Sequence, residues 1–302
     1  MSRRGGGQVS PRDTSTKFGD ARPGGRVRGA EGPTARATSA DGTQIAYWSS
    51  GSGPPLVVVH GAIADHTRWR PILPFLEPHA TVHAMDRRGR GGSGDHLDYA
   101  LAREFADVAA VVDSVAETTG SAVDVYGHSY GGLSAFGAAT LTTNIRRLVL
   151  YEGWPAVDPE RYALSRDVEE RLEALLAEGN PEAVVETMLR DIVHAPEHEI
   201  TALRGQPSWP ARVAAAHTVT RELRAMADAS LDPEQAATIT VPTLLLTGSE
   251  SSDLSTADIA VIAGALPDAR VEVIEGQHHV ADVMAPGDFA RRVVRFLRQP
   301  GS

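Results

Sequence analysis

Val123-Asp-Val-Tyr-Gly-His-Ser-Tyr-Gly-Gly-Leu133 is the stretch whose reading decides the fold. Val123, Val125 and Tyr126 form an apolar, strand-like run, and a helix of small residues is predicted from about Tyr130 to Leu141. Between them stands Gly127-His-Ser-Tyr-Gly131, a G-x-S-x-G sequence placed where a strand hands over to a helix. That is the setting of a nucleophile elbow, in which a serine sits on a sharp turn. Gly127 and Gly131 suit a turn that brings helix and strand too close for side chains. Ser129 is then expected to project its hydroxyl above the sheet edge, beside a helix N-terminus that favours negative charge. A bare G-x-S-x-G is common by chance; the strand before it and the helix after it give it weight.

Upstream of this turn, Leu56-Val-Val-Val-His60 is a short, β-branched run, as expected of a strand buried on both faces of a parallel sheet. Asp41-Gly42 is a hairpin signal leading into a strand at Gln44–Trp48. A helix is predicted at Thr67–Leu76, a strand at Ala80–Met85, and an amphipathic helix at Leu101–Thr118, with Phe105, Val108, Val112 and Val115 on one stripe. Asp86-Arg-Arg-Gly-Arg-Gly-Gly-Ser-Gly94 invites a phosphate-loop reading but lacks the lysine and the helix that such a loop needs, and reads as structural. Downstream, strands are predicted at Arg147–Tyr151, Thr243–Thr247 and Arg270–Ile274, and a last helix carries Phe289, Val293, Phe296 and Leu297. Between 155 and 230 the strand signal vanishes and three amphipathic helices are predicted, marked by Leu164 to Leu175, Val185 to Ile192 and Trp209 to Leu223. Such alternation implies an α/β fold with a doubly wound, mostly parallel sheet, carrying an inserted helical lid over the carboxyl ends of the strands.

The domain reading is an N-terminal arm at 1–36, a core at 37–154 and 231–298, and a lid at 155–230. The arm is rich in Arg, Gly, Ser and Thr and is too poor in apolar residues to order itself. With 302 residues, 42% hydrophobic and 23% charged, the chain can bury a core without staples. It has no cysteine, which excludes disulfides, thiolate catalysis and cysteine metal sites. A net charge of −10 argues against non-specific nucleic-acid binding. No apolar run approaches the roughly 20 residues of a membrane span, and the N-terminus has no signal-like apolar segment, so a cytoplasmic location is the default expectation.

VVVHGA, MDRRGRGGSG, YGHSYGG, LVLYE, PTLLLTG and IEGQHH, in that order over residues 37–298, resemble the α/β-hydrolase superfamily. The resemblance implies a serine nucleophile at Ser129 and a general base just after the last strand, at His279 in preference to its neighbour His278. It implies an oxyanion hole from the backbone N–H groups of Tyr130 and Ala62, with Ile63 in place of Ala62 if the loop is shifted by one. His60 would hold that loop. The acid is less settled. Most relatives carry an aspartate three residues beyond the glycine of Leu246-Thr-Gly248, where this sequence has Ser251. Haloalkane dehalogenases and zearalenone-lactone hydrolases instead place a glutamate directly after the preceding strand, where Glu152 stands; Asp253 and Glu250 are the alternatives. Ile63, Trp154, Trp209 and His217 are candidate pocket residues.

The activity so implied is hydrolysis of a small to medium apolar carboxylic ester or lactone through an acyl-enzyme, with no cofactor and no metal. Ser129 argues against haloalkane dehalogenase or epoxide hydrolase chemistry, in which the relatives attack with an aspartate. A perhydrolase, a carbon–carbon bond hydrolase with the same triad, and a ligand receptor built on the fold are the alternatives. Oligomeric state is left open by the sequence.

Overall fold

Successive side chains of a strand point to opposite faces, so an unbroken apolar strand demands cover on both sides of its sheet. A computed structural model describes residues 1–2, 32–162, 165–227, 229–251 and 253–299, with main chain alone at 161–162 and 253–257. The fold is that of the unit beginning at Pro33. Its elements run β1 (Ala35–Thr38), β2 (Gln44–Gly51), β3 (Pro55–Val59), α1 (Leu73–Leu76), β4 (Thr81–Met85), α2 (Leu101–Thr119), β5 (Val123–His128), α3 (Tyr130–Ala138) and β6 (Ile145–Tyr151). A helical insertion follows: α4 (Arg166–Ala177), α5 (Pro181–Thr187), α6 (Glu197–Arg204), α7 (Trp209–Ala214) and α8 (Val219–Ala227). The chain then returns through α9 (Pro233–Ala236), β7 (Thr243–Gly248), α10 (Asp253–Ala265), β8 (Ala269–Ile274), α11 (Ala281–Met284) and α12 (Pro286–Leu297).

The strands form one sheet in the order β1-β2-β4-β3-β5-β6-β7-β8. β2 is antiparallel to both β1 and β4, and every pairing from β4 through to β8 is parallel. Val57, Val59, Val125, Leu148, Leu150 and Leu245 face α2, α3 and α10 on one side. The alternate residues Leu56, Val58, Tyr126, Val149, Leu244 and Leu246 face α1 and α12 on the other. This is the doubly wound sheet expected from the sequence, built as an α/β-hydrolase fold. Among the described residues no helix is long and apolar enough to cross a membrane.

The structure departs from expectation in three places. The sheet begins at Ala35, so the last two residues assigned to the arm pair with Tyr47 and Ala46; most of the rest of the arm, with its predicted disorder, lies outside the described residues. The helix predicted at Thr67–Leu76 is a 3-10 turn at His66–Trp69 and the separate α1, because Pro71 between them lacks an N–H and restricts the residue before it. Among the described residues the insertion holds five α-helices where three helices were predicted. The third predicted helix is split into α7 and α8 by a 3-10 turn at Ala216–Thr218, and α6 was not foreseen. Leu164, placed in the first lid helix, lies outside the described residues.

The elbow is set by the approach of α3 to the sheet. A Cβ on Gly131 would lie 2.3 Å from the Val59 carbonyl oxygen, and one on Gly127 would lie 2.6 Å from the Gly131 oxygen. Both obstacles are backbone and cannot turn aside. Gly131→Ala is therefore expected to lift α3 off β3 and cost about 1–3 kcal/mol or more. Thermal melting checks this; an unchanged midpoint would show that the helix can move away freely.

Candidate active site

Ser129 closes β5 and opens α3 with φ 55° and ψ −128°, a left-handed region that non-glycine residues rarely occupy. The turn holds it there: its N–H donates to the Tyr151 oxygen at 2.8 Å, and its carbonyl accepts from Gly132 N–H at 2.7 Å. The opposite wall is as close, since a Cβ on Gly153 would lie 2.0 Å from the Ser129 oxygen. Ile63 (φ 44°) and Glu152 (φ 46°) share this backbone strain. Such strain persists only where the surroundings over-determine it, and it concentrates at functional sites. The Ser129 hydroxyl makes no hydrogen bond to a described residue.

Glu152 follows directly on β6 and His279 lies in the loop after β8. His279 Nδ1–H donates to Glu152 Oε2 at 2.6 Å. The second carboxylate oxygen, Oε1, accepts from Gly248 N–H at 2.8 Å, Thr247 Oγ1 at 3.1 Å and Ser251 Oγ at 2.5 Å. Burial works against the charged carboxylate, but the His279 N–H and charge, with the Ser251 and Gly248 donors, hold its pKa below the ordinary value. Ser251, which stands where the resemblance would put an aspartate, thus donates to Glu152. Glu250 is exposed and its main chain bonds Gln277. Asp253 opens α10, and its side chain lies outside the described residues.

His128, inside the G-x-S-x-G motif and passed over in the sequence, joins the two halves of the site. Its Nε2–H donates to the His279 carbonyl at 2.8 Å, and its ring centroid lies 4.7 Å from that of His279. Burial, Arg68 and His279 keep the His128 ring neutral, its pKa well below the usual value. Tyr151 donates its hydroxyl proton to the His278 carbonyl, so it is the backbone of His278 that is held. The sequence signal for His128 was its adjacency to Ser129.

Ala62 and Tyr130 flank the elbow, and neither N–H has an acceptor among the described residues. Tyr130 is the first residue of α3, one of the orphan donors that every helix start leaves. His60 braces the loop as expected: it is fully buried, with Nδ1 on the Gly61 oxygen at 2.8 Å and Nε2 accepting Arg87 N–H at 3.1 Å. The Asp86–Gly94 loop is structural and carries buried ion pairs. Arg87 forks onto Glu104, and Arg88 onto Asp107. Both Arg87 and Arg90 reach Glu222 on α8, which ties the helical insertion to the core. Donor atoms of Asp65, His66 and Asp86 lie within 4.8 Å of one another, but hydrogen bonds to Thr67, His66 and Gly92 engage these carboxylates.

Of the four candidate pocket residues, Ile63, Trp154 and Trp209 are buried and His217 is exposed. Trp154 belongs to the apolar cluster on the α2 and α3 face, and Trp209 is buried in the apolar cluster of the helical insertion, Ile63 and Val280, with its indole N–H on Glu182. His217 is exposed, its Nδ1–H on the Ala214 oxygen, and Ile63 is buried among lid residues beside Val280. Three charged residues of the insertion that sequence reading missed are buried: Glu199 on α6, Arg212 on α7 and Glu222 on α8. The weak signal for Arg212 was its place three residues after Trp209, on the buried stripe.

The alpha/beta hydrolase family model matches residues 56–294. This chain belongs to that family. A crystal structure of an alpha/beta hydrolase from Sphaerobacter thermophilus is similar to this hydrolase at 36% identity and a TM-score of 0.73, covering 87% of this chain and 99% of that one. A pimeloyl-[acyl-carrier protein] methyl ester esterase of Xanthomonas campestris is 28% identical over 82% of this chain and 96% of its own length. An (E)-2-((N-methylformamido)methylene)succinate hydrolase of Acinetobacter baylyi is 27% identical over 80% of this chain and 89% of its own.

Glu199 of this hydrolase is 3% exposed, and its buried Oε2 has no partner among the described residues. Burial raises its pKa to about 7; the His279 charge opposes that rise and the Glu152 carboxylate adds to it. Unfolded, the group releases its proton near 4.5, whereas folded it keeps the proton to about 7. The unfolded chain binds fewer protons in between, so Glu199 lowers stability as pH rises through that window, and the loss persists above it. Glu199→Gln is expected to melt about 2–4 °C above wild type at pH 8. The gap should shrink as pH falls toward 4.5. A gap that does not vary with pH would refute the raised pKa.

Proposed function

We propose that this alpha/beta hydrolase is a serine hydrolase that cleaves a carboxylic ester or lactone of a small to medium, largely apolar compound, with Ser129, His279 and Glu152 as its triad. The observation that carries the reading is the 2.6 Å bond between His279 Nδ1 and a buried, ionised Glu152, set beside a serine on a strained turn. A serine hydroxyl is a poor nucleophile until a base takes its proton. With Nδ1–H fixed on Glu152, the lone pair of His279 is on Nε2, the tautomer a general base requires.

In this reading Ser129 Oγ attacks the carbonyl carbon and its proton passes to His279 Nε2. The oxyanion is met by the N–H groups of Tyr130 and Ala62, aimed in advance by α3 and the His60-Gly61 loop. Collapse breaks the bond to the alcohol oxygen, which leaves with the proton from His279. Water then adds to the acyl-enzyme with His279 as base, releasing the acid and restoring Ser129. Glu152 stabilises the imidazolium in both halves without itself taking a proton. The helical insertion serves as a cap that shapes the substrate space. Lactone opening is the narrower form of the proposal, and the position of Glu152 after β6 supports it.

Labelling with a fluorophosphonate, followed by mapping of the adduct, tests the assignment across wild type, Glu152→Gln and Asp253→Asn. An adduct on Ser129 is expected in wild type. Ester turnover should fall by about 10³–10⁴ in Glu152→Gln, where the orienting charge is gone, and should persist in Asp253→Asn. No adduct on Ser129 removes the serine mechanism; full activity in Glu152→Gln with a dead Asp253→Asn moves the acid to Asp253. A substrate panel in which simple aryl esters turn over and no lactone does would strike out the lactone form alone.

A further inference from the structure

Arg212 of α7 is a buried cation with no counter-ion among the described residues. It is 4% exposed, and its one hydrogen bond to a described residue runs from Nη1 to the Ile63 carbonyl at 3.3 Å. Its Nε is buried without a partner. Four other buried arginines have carboxylate partners: Arg68 with Asp282 at 2.9 Å, Arg87 with Glu104, Arg88 with Asp107 and Arg90 with Glu222. The two acids nearest in charge to Arg212 are already engaged. Asp282 also accepts from Tyr126, and Asp65 accepts from the Thr67 N–H and hydroxyl. Arg68, whose Nη1 is also buried without a partner, is the largest electrostatic influence on Arg212 and a repulsive one.

Burying a guanidinium without a carboxylate is costly, and one neutral carbonyl does not repay it. Burial and Arg68 together push the Arg212 pKa down to about 10, so the group remains charged at neutral pH. The position of that charge matters. Ile63, to which it bonds, follows directly on Ala62, and the Arg212 charge also reaches His128, the neighbour of Ser129. A planar guanidinium with free donors beside a second such group suits the forked recognition of a carboxylate.

We propose that Arg212, with Arg68 beside it, binds a carboxylate on the substrate, so that the preferred ester or lactone is an anion with an otherwise apolar body. The inference rests on the serine hydrolase reading above and narrows its substrate class. A loop prop is the competing account of Arg212, and it predicts no dependence on substrate charge.

The test compares 4-nitrophenyl butanoate with the 4-nitrophenyl monoester of glutaric acid, which have the same leaving group and differ in the charge at the far end of the acyl chain. Wild type is expected to favour the glutarate monoester at least tenfold in kcat/KM. Arg212→Gln should bring that ratio close to one, and Arg212→Lys should leave part of it. A second measurement needs no variant: glutarate should slow fluorophosphonate labelling of wild-type Ser129, and the uncharged glutaramide should not. Turnover of both esters without an anionic preference, or a ratio unchanged in Arg212→Gln, overturns the proposal while the serine reading stands. Equal loss of both activities in Arg212→Gln also overturns it, in favour of the loop prop. If neither ester turns over and Ser129 takes no label, both readings fall together.

Discussion

A hydrogen bond of 2.6 Å from His279 to Glu152 links the end of β6 to the loop beyond β8, and the neighbouring loops are arranged to make it possible. A carboxylate buried away from water is tolerable only when its lone pairs are satisfied. Here the donors come from three places in the chain: Thr247 and Gly248 at the end of β7, Ser251 just after it, and His279 itself. Glu152 accepts a left-handed backbone to reach them. The carboxylate therefore gathers the ends of β6 and β7 and the loop after β8 around one point, next to the turn that holds Ser129.

The insertion is bound to this centre by charge as well as by apolar packing. Arg87 forks onto Glu104, donates to the Gly61 carbonyl, lies over the Tyr130 ring at 4.3 Å and reaches Glu222 of α8 at 3.1 Å. One guanidinium thus touches the loop after β3, the first residue of α3 and the helical insertion. Because these partners are buried, solvent and salt weaken the contacts little, and removal of either carboxylate would leave excess positive charge inside the protein. The glycine-rich stretch at Asp86–Gly94 earns its composition from this role: its arginines turn inward, and its glycines let the backbone pass close to Asp86 and Trp48.

Much of this was legible in the sequence, for identifiable reasons. Val57 to Val59 and Leu244 to Leu246 are apolar at every position, which only a strand covered on both faces requires. The glycines around Ser129 reported close backbone approach, and the resemblance to α/β hydrolases pointed to His279 and Glu152, which the structure brings into contact. The remainder depends on contacts between distant segments. Polar side chains ordinarily read as solvent-facing, so the burial of Arg87, Glu104, Glu199, Arg212 and Glu222 left no mark on the periodicity. α6 escaped notice because it is eight residues long, bounded by Pro196 and Gly205, and buries only Glu199, Ile200 and Leu203. Trp154, Trp209 and His217 are pocket candidates by chemical type, and type alone does not say toward which side a helix turns.

The bond between Ser251 and Glu152 limits what position 251 can hold. An aspartate there, alongside the present glutamate, would crowd two carboxylates against a single imidazole, and like charges at that spacing do not both ionise. A hydroxyl donates to Glu152 and brings no charge of its own, so a single full negative charge faces His279 and is shared with no rival.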